Sequence, residues 1–291
     1  MTIRTFIPSD EVAQVGIYNE AAAELPKFKP STIDEARRLW KTVKRDNVMI
    51  KVPGTAEGIP AIRQLIAEGI NINVTLLFSQ EVYQTVAEQY VAGLEDLAKN
   101  GGDLQKEAGV ASFFISRIDT LVDSLLEAKL KSTSDAGQQA LLKGLLGKIA
   151  IANGKLAYPR YERIFSGSRW QSLAAKGAQT QRVLWASTST KNPNYRDVIY
   201  VEELIGRDTV NTMPPATVEA FRDHGKLRNS LTEDVAAAKK EMDDLARAGV
   251  SIKEATDKLT DDGVRLFAEA FDKLLAAVAK STQAKGTQAK G

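Results

Sequence analysis

The sequence predicts an α/β fold of the (β/α) barrel type, a parallel sheet covered by helices. Three observations carry the prediction. Short apolar runs alternate with longer stretches of helical periodicity along most of the chain, the order that yields parallel strands joined by crossover helices. Five such runs are followed by further helices, which suits a barrel better than a two-sided sheet, although eight strands are needed for closure. No Gly-x-Gly-x-x-Gly or phosphate-loop motif occurs, so nucleotide-binding folds have no support.

Residues 1–30 show no clear periodic element. Pro26 and Pro30 bracket Lys27-Phe28-Lys29, an extended approach to a helix. That helix starts near Ser31-Thr32, where Thr32 and Glu35 fit a capping box, and Ile33, Ala36, Trp40 and Val43 form its apolar face. Val48–Val52 reads as a strand ended by Pro53-Gly54, and Ile59–Gly69 as a helix that Gly69 stops. Ile70–Leu77 is a second strand, and Gln80–Lys99 a long amphipathic helix closed by Asn100-Gly101-Gly102. Val110–Ile115 is a third strand, followed by a helix over Arg117–Lys131 and a long helical stretch from about Gly137 to Phe165. Arg182–Ala186 and Thr209–Thr212 supply the fourth and fifth strands. Thr232 to Lys280 reads as two helices broken at Gly249. The chain thus divides into an atypical N-terminal segment (1–30), a barrel domain (31–280) and a flexible tail (281–291), in which Thr-Gln-Ala-Lys-Gly occurs twice.

Composition narrows the function. Lys and Arg number 39 against 37 Asp and Glu, which speaks against a dedicated nucleic-acid binder and leaves acidic small molecules open. There is no cysteine, so disulfide and thiolate chemistry are excluded. The single histidine, His224, reads as a solvated residue in a polar stretch. No apolar run approaches the roughly 20 residues that span a bilayer, and the N-terminus lacks the apolar core of a signal peptide. A soluble, cytoplasmic protein is expected.

Lys51 is the sharpest chemical signal. It ends a strand that is otherwise apolar, in Asn47-Val-Met-Ile-Lys-Val-Pro. A central parallel strand is buried on both faces, where a lysine is costly. Desolvation lowers its pKa and supplies the neutral amine that attacks a carbonyl to form a Schiff base. The other reading is an edge-strand lysine whose ammonium reaches water. In Ile70-Asn-Ile-Asn-Val-Thr-Leu76, alternation puts Asn71, Asn73 and Thr75 on one face and Ile72, Val74 and Leu76 against the outer helices. Val110, Ser112 and Phe114 share a face of the next strand, and Arg117 follows at its exit. An arginine there can hold a phosphate bidentately, with Ser112 adding a hydrogen bond. The loop Ala186-Ser-Thr-Ser-Thr-Lys-Asn-Pro193 adds hydroxyls and a second cation, Lys191. Arg117 and Lys191 together would match a sugar phosphate.

These residues resemble a known family. Val48-Met-Ile-Lys-Val-Pro, Glu57-Gly-Ile-Pro-Ala-Ile and Gly69-Ile-Asn-Ile-Asn-Val-Thr-Leu-Leu-Phe-Ser79 look like the Schiff-base lysine region of transaldolase. Ala111–Asp119, Trp185–Pro193, Thr209–Pro214 and Gly263–Phe271 continue the likeness in order, over roughly Thr32 to Lys280. The resemblance implies a (β/α)8 TIM barrel with extra C-terminal helices. It implies transfer of a dihydroxyacetone unit between sugar phosphates in the pentose phosphate pathway: sedoheptulose 7-phosphate and glyceraldehyde 3-phosphate to erythrose 4-phosphate and fructose 6-phosphate. Lys51 would form the Schiff base, and Thr75 would help place a water used in proton transfer. Asn73, Ser112 and Phe114 would line the site and Arg117 would bind phosphate. Ser187 and Lys191 stand where one branch of the family has a second phosphate arginine. No metal or organic cofactor is implied.

The family carries three strands before the lysine strand, bringing an aspartate, an asparagine and a glutamate to the pocket. None is read in residues 1–30, where Asp10, Glu11, Glu20 and Glu24 sit in no matching strand pattern. The expected barrel therefore lacks its first three strands. Its open sheet edges predict self-association, and the alternative to a working enzyme is a catalytically impaired remnant that at most binds sugar phosphates.

Overall fold

The structure, a computed structural model, describes residues 13–16 and 28–288. Among them six strands form one sheet in the order β1-β2-β3-β4-β5-β6, and every pairing is parallel. Sequential order without reversal is what a (β/α) barrel requires; a doubly wound sheet would reverse at a switch point. The fold is α/β of the TIM-barrel type.

The predicted strands are all present: β2 (Val48–Pro53), β3 (Ile72–Leu77), β4 (Gly109–Phe114), β5 (Arg182–Ala186) and β6 (Thr209–Asn211). A sixth, β1 (Ala13–Gly16), lies in the segment for which the sequence suggested no element, and it pairs with the lysine strand, Gly16 level with Lys51. Among the described residues one strand thus precedes the lysine strand, where no such strand was expected. Asp10, Glu11, Glu20 and Glu24 lie outside the described residues.

Helix α1 spans Phe28–Val43, so Pro30 sits inside its first turn, where a missing N–H costs no intrahelical bond. Glu35 does not close a capping box; it holds Arg38 one turn on. Helices α2 (Gly58–Ala67) and α3 (Gln80–Lys99) pack together on the outer side of β2 and β3. Ile62, Leu65, Ile66, Tyr83, Val86 and Tyr90, each fully buried, fill that layer. Beyond β4 runs α4 (Ser116–Ser132).

The single long helical stretch expected next is two helices, α5 (Ala136–Leu145) and α6 (Ile149–Ile164). They break at Gly147, whose φ of +70° favours glycine and whose N–H donates to Asp123 Oδ1 at 3.0 Å. Helix α7 (Ser168–Ala174) precedes β5; α8 (Ile199–Glu202) and α9 (Pro215–His224) flank β6. Helices α10 (Val235–Arg247) and α11 (Ile252–Gln288) meet at Gly249 as expected, and α11 runs on into the repeated tail sequence. No helix of the described residues is long and apolar enough to cross a membrane.

Candidate active site

The register of the sheet builds the site. Lys51 of β2 lies level with Asn73 of β3, which lies level with Val110 of β4. Two residues further along, Thr75 and Ser112 continue the same face. Lys51 is half-buried and Asn73, Thr75 and Ser112 are buried, so the expected polar face exists inside the protein. The hydrophobic side chains of Ile50, Val52, Ile72 and Val74 take the opposite face and are fully buried.

Burial lowers the pKa of Lys51 below the ordinary lysine value, because desolvation disfavours the ammonium. No carboxylate among the described residues pairs with it. Ser112 Oγ donates to Asn73 Oδ1 at 2.7 Å in a buried bond; with its oxygen so held, the Asn73 amide keeps its N–H2 as the donor end. Thr75 Oγ1 is buried with no hydrogen-bond partner among the described residues. A hydroxyl desolvated in that way costs about 1–3 kcal/mol, and here it is an uncommitted donor and acceptor on the lysine's face. Asn71, grouped with these residues by alternation, is structural: its side chain donates to Asp46 O and Val48 O and accepts from Ala108 N, tying the start of β3 to its neighbours.

Alternation fails at one position. Leu76 has φ +59°, and the register shifts between Val74 and Leu77. Leu76 does not face the outer helices as predicted; its side chain lies under Gly263 of α11. A left-handed conformation in a leucine costs roughly 1–2 kcal/mol, and bulges of this kind gather beside active sites.

The exits of β4 and β5 meet beside this face. Ser116 N donates to Ser187 O, and the two hydroxyls lie 3.0 Å apart. Ser187, at φ +57°, turns the chain out of β5 there. Arg117, in the first turn of α4, stands over the Phe114 ring at 5.3 Å, and the Phe78 ring packs against Phe114 with the two planes inclined at 43°. Arg117 has no carboxylate partner among the described residues, and a guanidinium at a helix N-terminus with two hydroxyls nearby suits an anion. Ser116 was missed in the sequence, although the adjoining Arg117 marks it.

Lys191 is placed differently. It is exposed, donates to Ser189 Oγ, and borders a cavity of about 200 Å³ that Asp119, Asp123, Tyr195 and Tyr200 also line. The structure does not bring it onto the lysine face. Those acidic residues fasten the loop after β5. Asp119 accepts from Ala150 N and the Tyr200 hydroxyl, and Asp123 from Gly147 N and the Tyr195 hydroxyl. Burial pushes the Asp119 carboxyl up to about 7 despite those two bonds, and raises that of Asp123. His224 is exposed between Asp197 and Asp223, whose carboxylates raise its pKa. Among the described residues no group of His, Cys, Asp and Glu could hold a metal ion.

The likeness to known proteins extends along most of the chain. A model of the family described as "Transaldolase/Fructose-6-phosphate aldolase" matches residues 10–278. A protein of Trichodesmium erythraeum named "Transaldolase" is 46% identical over 258 residues, covering 88% of this chain and 68% of its own. "Transaldolase 2" of Nostoc punctiforme is 50% identical over 248 residues, 84% of this chain and 65% of its own. "Transaldolase" of Saccharopolyspora erythraea is 45% identical over 248 residues, 85% and 65%. The chain spans about two thirds of the length of these curated relatives.

Proposed function

The chain belongs to the transaldolase/fructose-6-phosphate aldolase family, and from that premise we propose that it acts on sugar phosphates through a Schiff base on Lys51. The observation that carries the reading is a half-buried lysine of lowered pKa at the C-terminal end of a parallel strand, where barrel enzymes gather their chemistry.

The neutral amine of Lys51 adds to the C2 carbonyl of a ketose phosphate, and loss of water gives the imine. Protonated, that imine draws electrons from the C3–C4 bond, which breaks as the C4 hydroxyl gives up its proton. An aldose phosphate leaves, and a dihydroxyacetone unit stays on the lysine until a second aldose phosphate takes it. Asn73, held by Ser112, lies level with Lys51 and is a hydrogen-bond donor for the hydroxyls of that unit. Thr75 Oγ1 handles the proton that moves between imine, water and C4 oxygen. Phe114 walls the site, and Arg117 with Ser116 and Ser187 takes the phosphate. Lys191, among carboxylates, receives no part in this reading. The reaction follows as transfer of a dihydroxyacetone unit between sugar phosphates, in a soluble cytoplasmic protein.

The test is to incubate the protein with fructose 6-phosphate, reduce with borohydride and weigh it beside a Lys51→Ala control. An adduct on the native chain and none on the control supports the reading. An adduct on neither, in protein shown to be folded, refutes it.

A further inference from the structure

Between Val74, level with Ala111, and Leu77, level with Phe113, strand β3 has two residues where β4 has only Ser112. Such an insertion breaks the strict alternation after Thr75, at Leu76. The left-handed backbone of Leu76, φ +59°, turns its side chain out of the layer that Val74 and Leu77 share with the helices. That side chain is nevertheless only 2% exposed, because α11 covers it. A Cβ placed on the buried Gly263 would lie 2.7 Å from Leu76 Cδ2, so a larger residue there would push the end of the leucine side chain aside.

The path of α11 explains the contact. Gly249, just before it, lies 3.2 Å (from where a Cβ would be) from Lys129 Nζ near the end of α4. Gly263 then lies at the C-terminal end of β3, the level from which α4 starts. Helix α11 therefore climbs antiparallel to α4, about 17 Å of rise from Ile252 to Gly263, and lands on the residue that follows Thr75. Val264 and Phe267, partly buried against the core, seat the next turn.

We propose that Leu76 is a positioning residue: clasped under Gly263, it fixes the bulge that keeps Thr75 Oγ1 on the lysine face. Helix α11 thereby sets the proton-transfer geometry of the site without touching substrate. The kinetic side of this inference rests on the Schiff-base reading above; its structural side rests on the backbone and the helix contact alone.

The experiment compares the full chain with Gly263→Ala, Leu76→Ala and the double variant. Three quantities are read: hydrogen exchange across residues 72–79, the fructose 6-phosphate adduct trapped by borohydride, and turnover with erythrose 4-phosphate as acceptor. Gly263→Ala is expected to speed exchange across 72–79 and to leave trapping and KM for the ketose nearly unchanged. Turnover should fall about tenfold, a part of what a proton-transfer group contributes. The double variant should be no worse than the poorer single, since both remove one contact. Should Gly263→Ala fail to fold, Leu76→Ala, which empties the contact without a clash, is read in the same way. The proposal is overturned if exchange stays unchanged, if trapping and turnover fall together in step with melting temperature, or if the two losses multiply. If the native chain forms no adduct, the Schiff-base reading falls. Exchange across 72–79 then decides alone: faster in Gly263→Ala upholds the clasp, unchanged overturns it.

Discussion

Replacing Asp119 by asparagine should change stability in a way that depends on pH. Asp119 is 1% exposed and its carboxyl titrates in the fold at about 7, against an ordinary 3.8, because burial outweighs the bonds from Ala150 and Tyr200. A raised value means that the fold favours the protonated acid. The contribution is complete below the ordinary value and is lost as pH rises through about 7. At about 1.4 kcal/mol for each tenfold change in proton affinity, the loss reaches about 4 kcal/mol once the carboxylate is charged. An asparagine still accepts from Ala150 N and offers its amide to the Tyr200 oxygen, with no charge to bury. At pH 5 about 1.6 of those roughly 4 kcal/mol are already lost, which the weaker bonds of an asparagine roughly offset, so the variant should lie within about 1 kcal/mol of the native chain. At pH 8.5 it should be more stable by about 1–3 kcal/mol once imperfect geometry is deducted, or roughly 2–4 °C in Tm for each kcal/mol in a chain of this size. Thermal and urea melts of both proteins at the two pH values measure the difference, and subtraction removes every other titration. An equal change in Tm at pH 5 and pH 8.5 would falsify the reasoning.

Three further outcomes are expected. Ser112→Ala removes the bond that holds Asn73 Oδ1 and should cost about 1–3 kcal/mol in urea unfolding, with a raised KM for the ketose; an unchanged midpoint counts against the bond. Arg117→Met should raise KM for a phosphorylated ketose roughly 10- to 100-fold, the worth of charge-assisted hydrogen bonds. The same variant should leave an unphosphorylated ketose unaffected, and equal losses on both would show that Arg117 does not read phosphate. The rate of imine trapping should rise with pH through an inflection below the ordinary lysine value, since burial lowers the pKa of Lys51. The linked stability runs the other way: the cost of charging Lys51 in the fold appears as pH falls through that inflection, so Lys51→Met should gain stability over the native chain there. An inflection at the ordinary value would contradict the burial argument.

What the sequence makes legible follows from how locally each feature is encoded. The strands from Val48 to Thr209 are short, mostly apolar runs set between helical stretches, and pattern finds them. Ala13–Gly16 is four residues long with a single β-branched residue; only its pairing with β2 makes it a strand. The polar face was readable because Lys51, Asn73 and Ser112 obey period two. Leu76 was not, since nothing in a leucine announces a left-handed backbone; the bulge is a property of two strands in register. The break at Gly147 depends on Asp123, a residue 24 positions away. Lys191 shows the limit of nearness in sequence: it borders a cavity lined by Asp119 and Asp123, residues roughly 70 positions away that its own loop does not announce. Ser116 and Ser187 meet because β4 and β5 end together, a fact of topology.

The sequential strand order also has a consequence for how the chain reaches this structure. From β2 to β4 each strand joins the next across a single helix, so those pairings close short loops. Between β4 and β5 stand residues 115–181 with four helices, and this closure carries the largest entropic cost in the sheet. Pairing β5 must therefore wait for α4 and α6 to dock, and contacts so distant in sequence slow folding. The chain is expected to assemble as two cooperative units, β2 through α3 early and β5 with β6 late, with the seam at the β4–β5 junction. Ser116 and Ser187 lie on that seam, so the proposed phosphate-binding corner would be the last part of the site to form and the first to come apart.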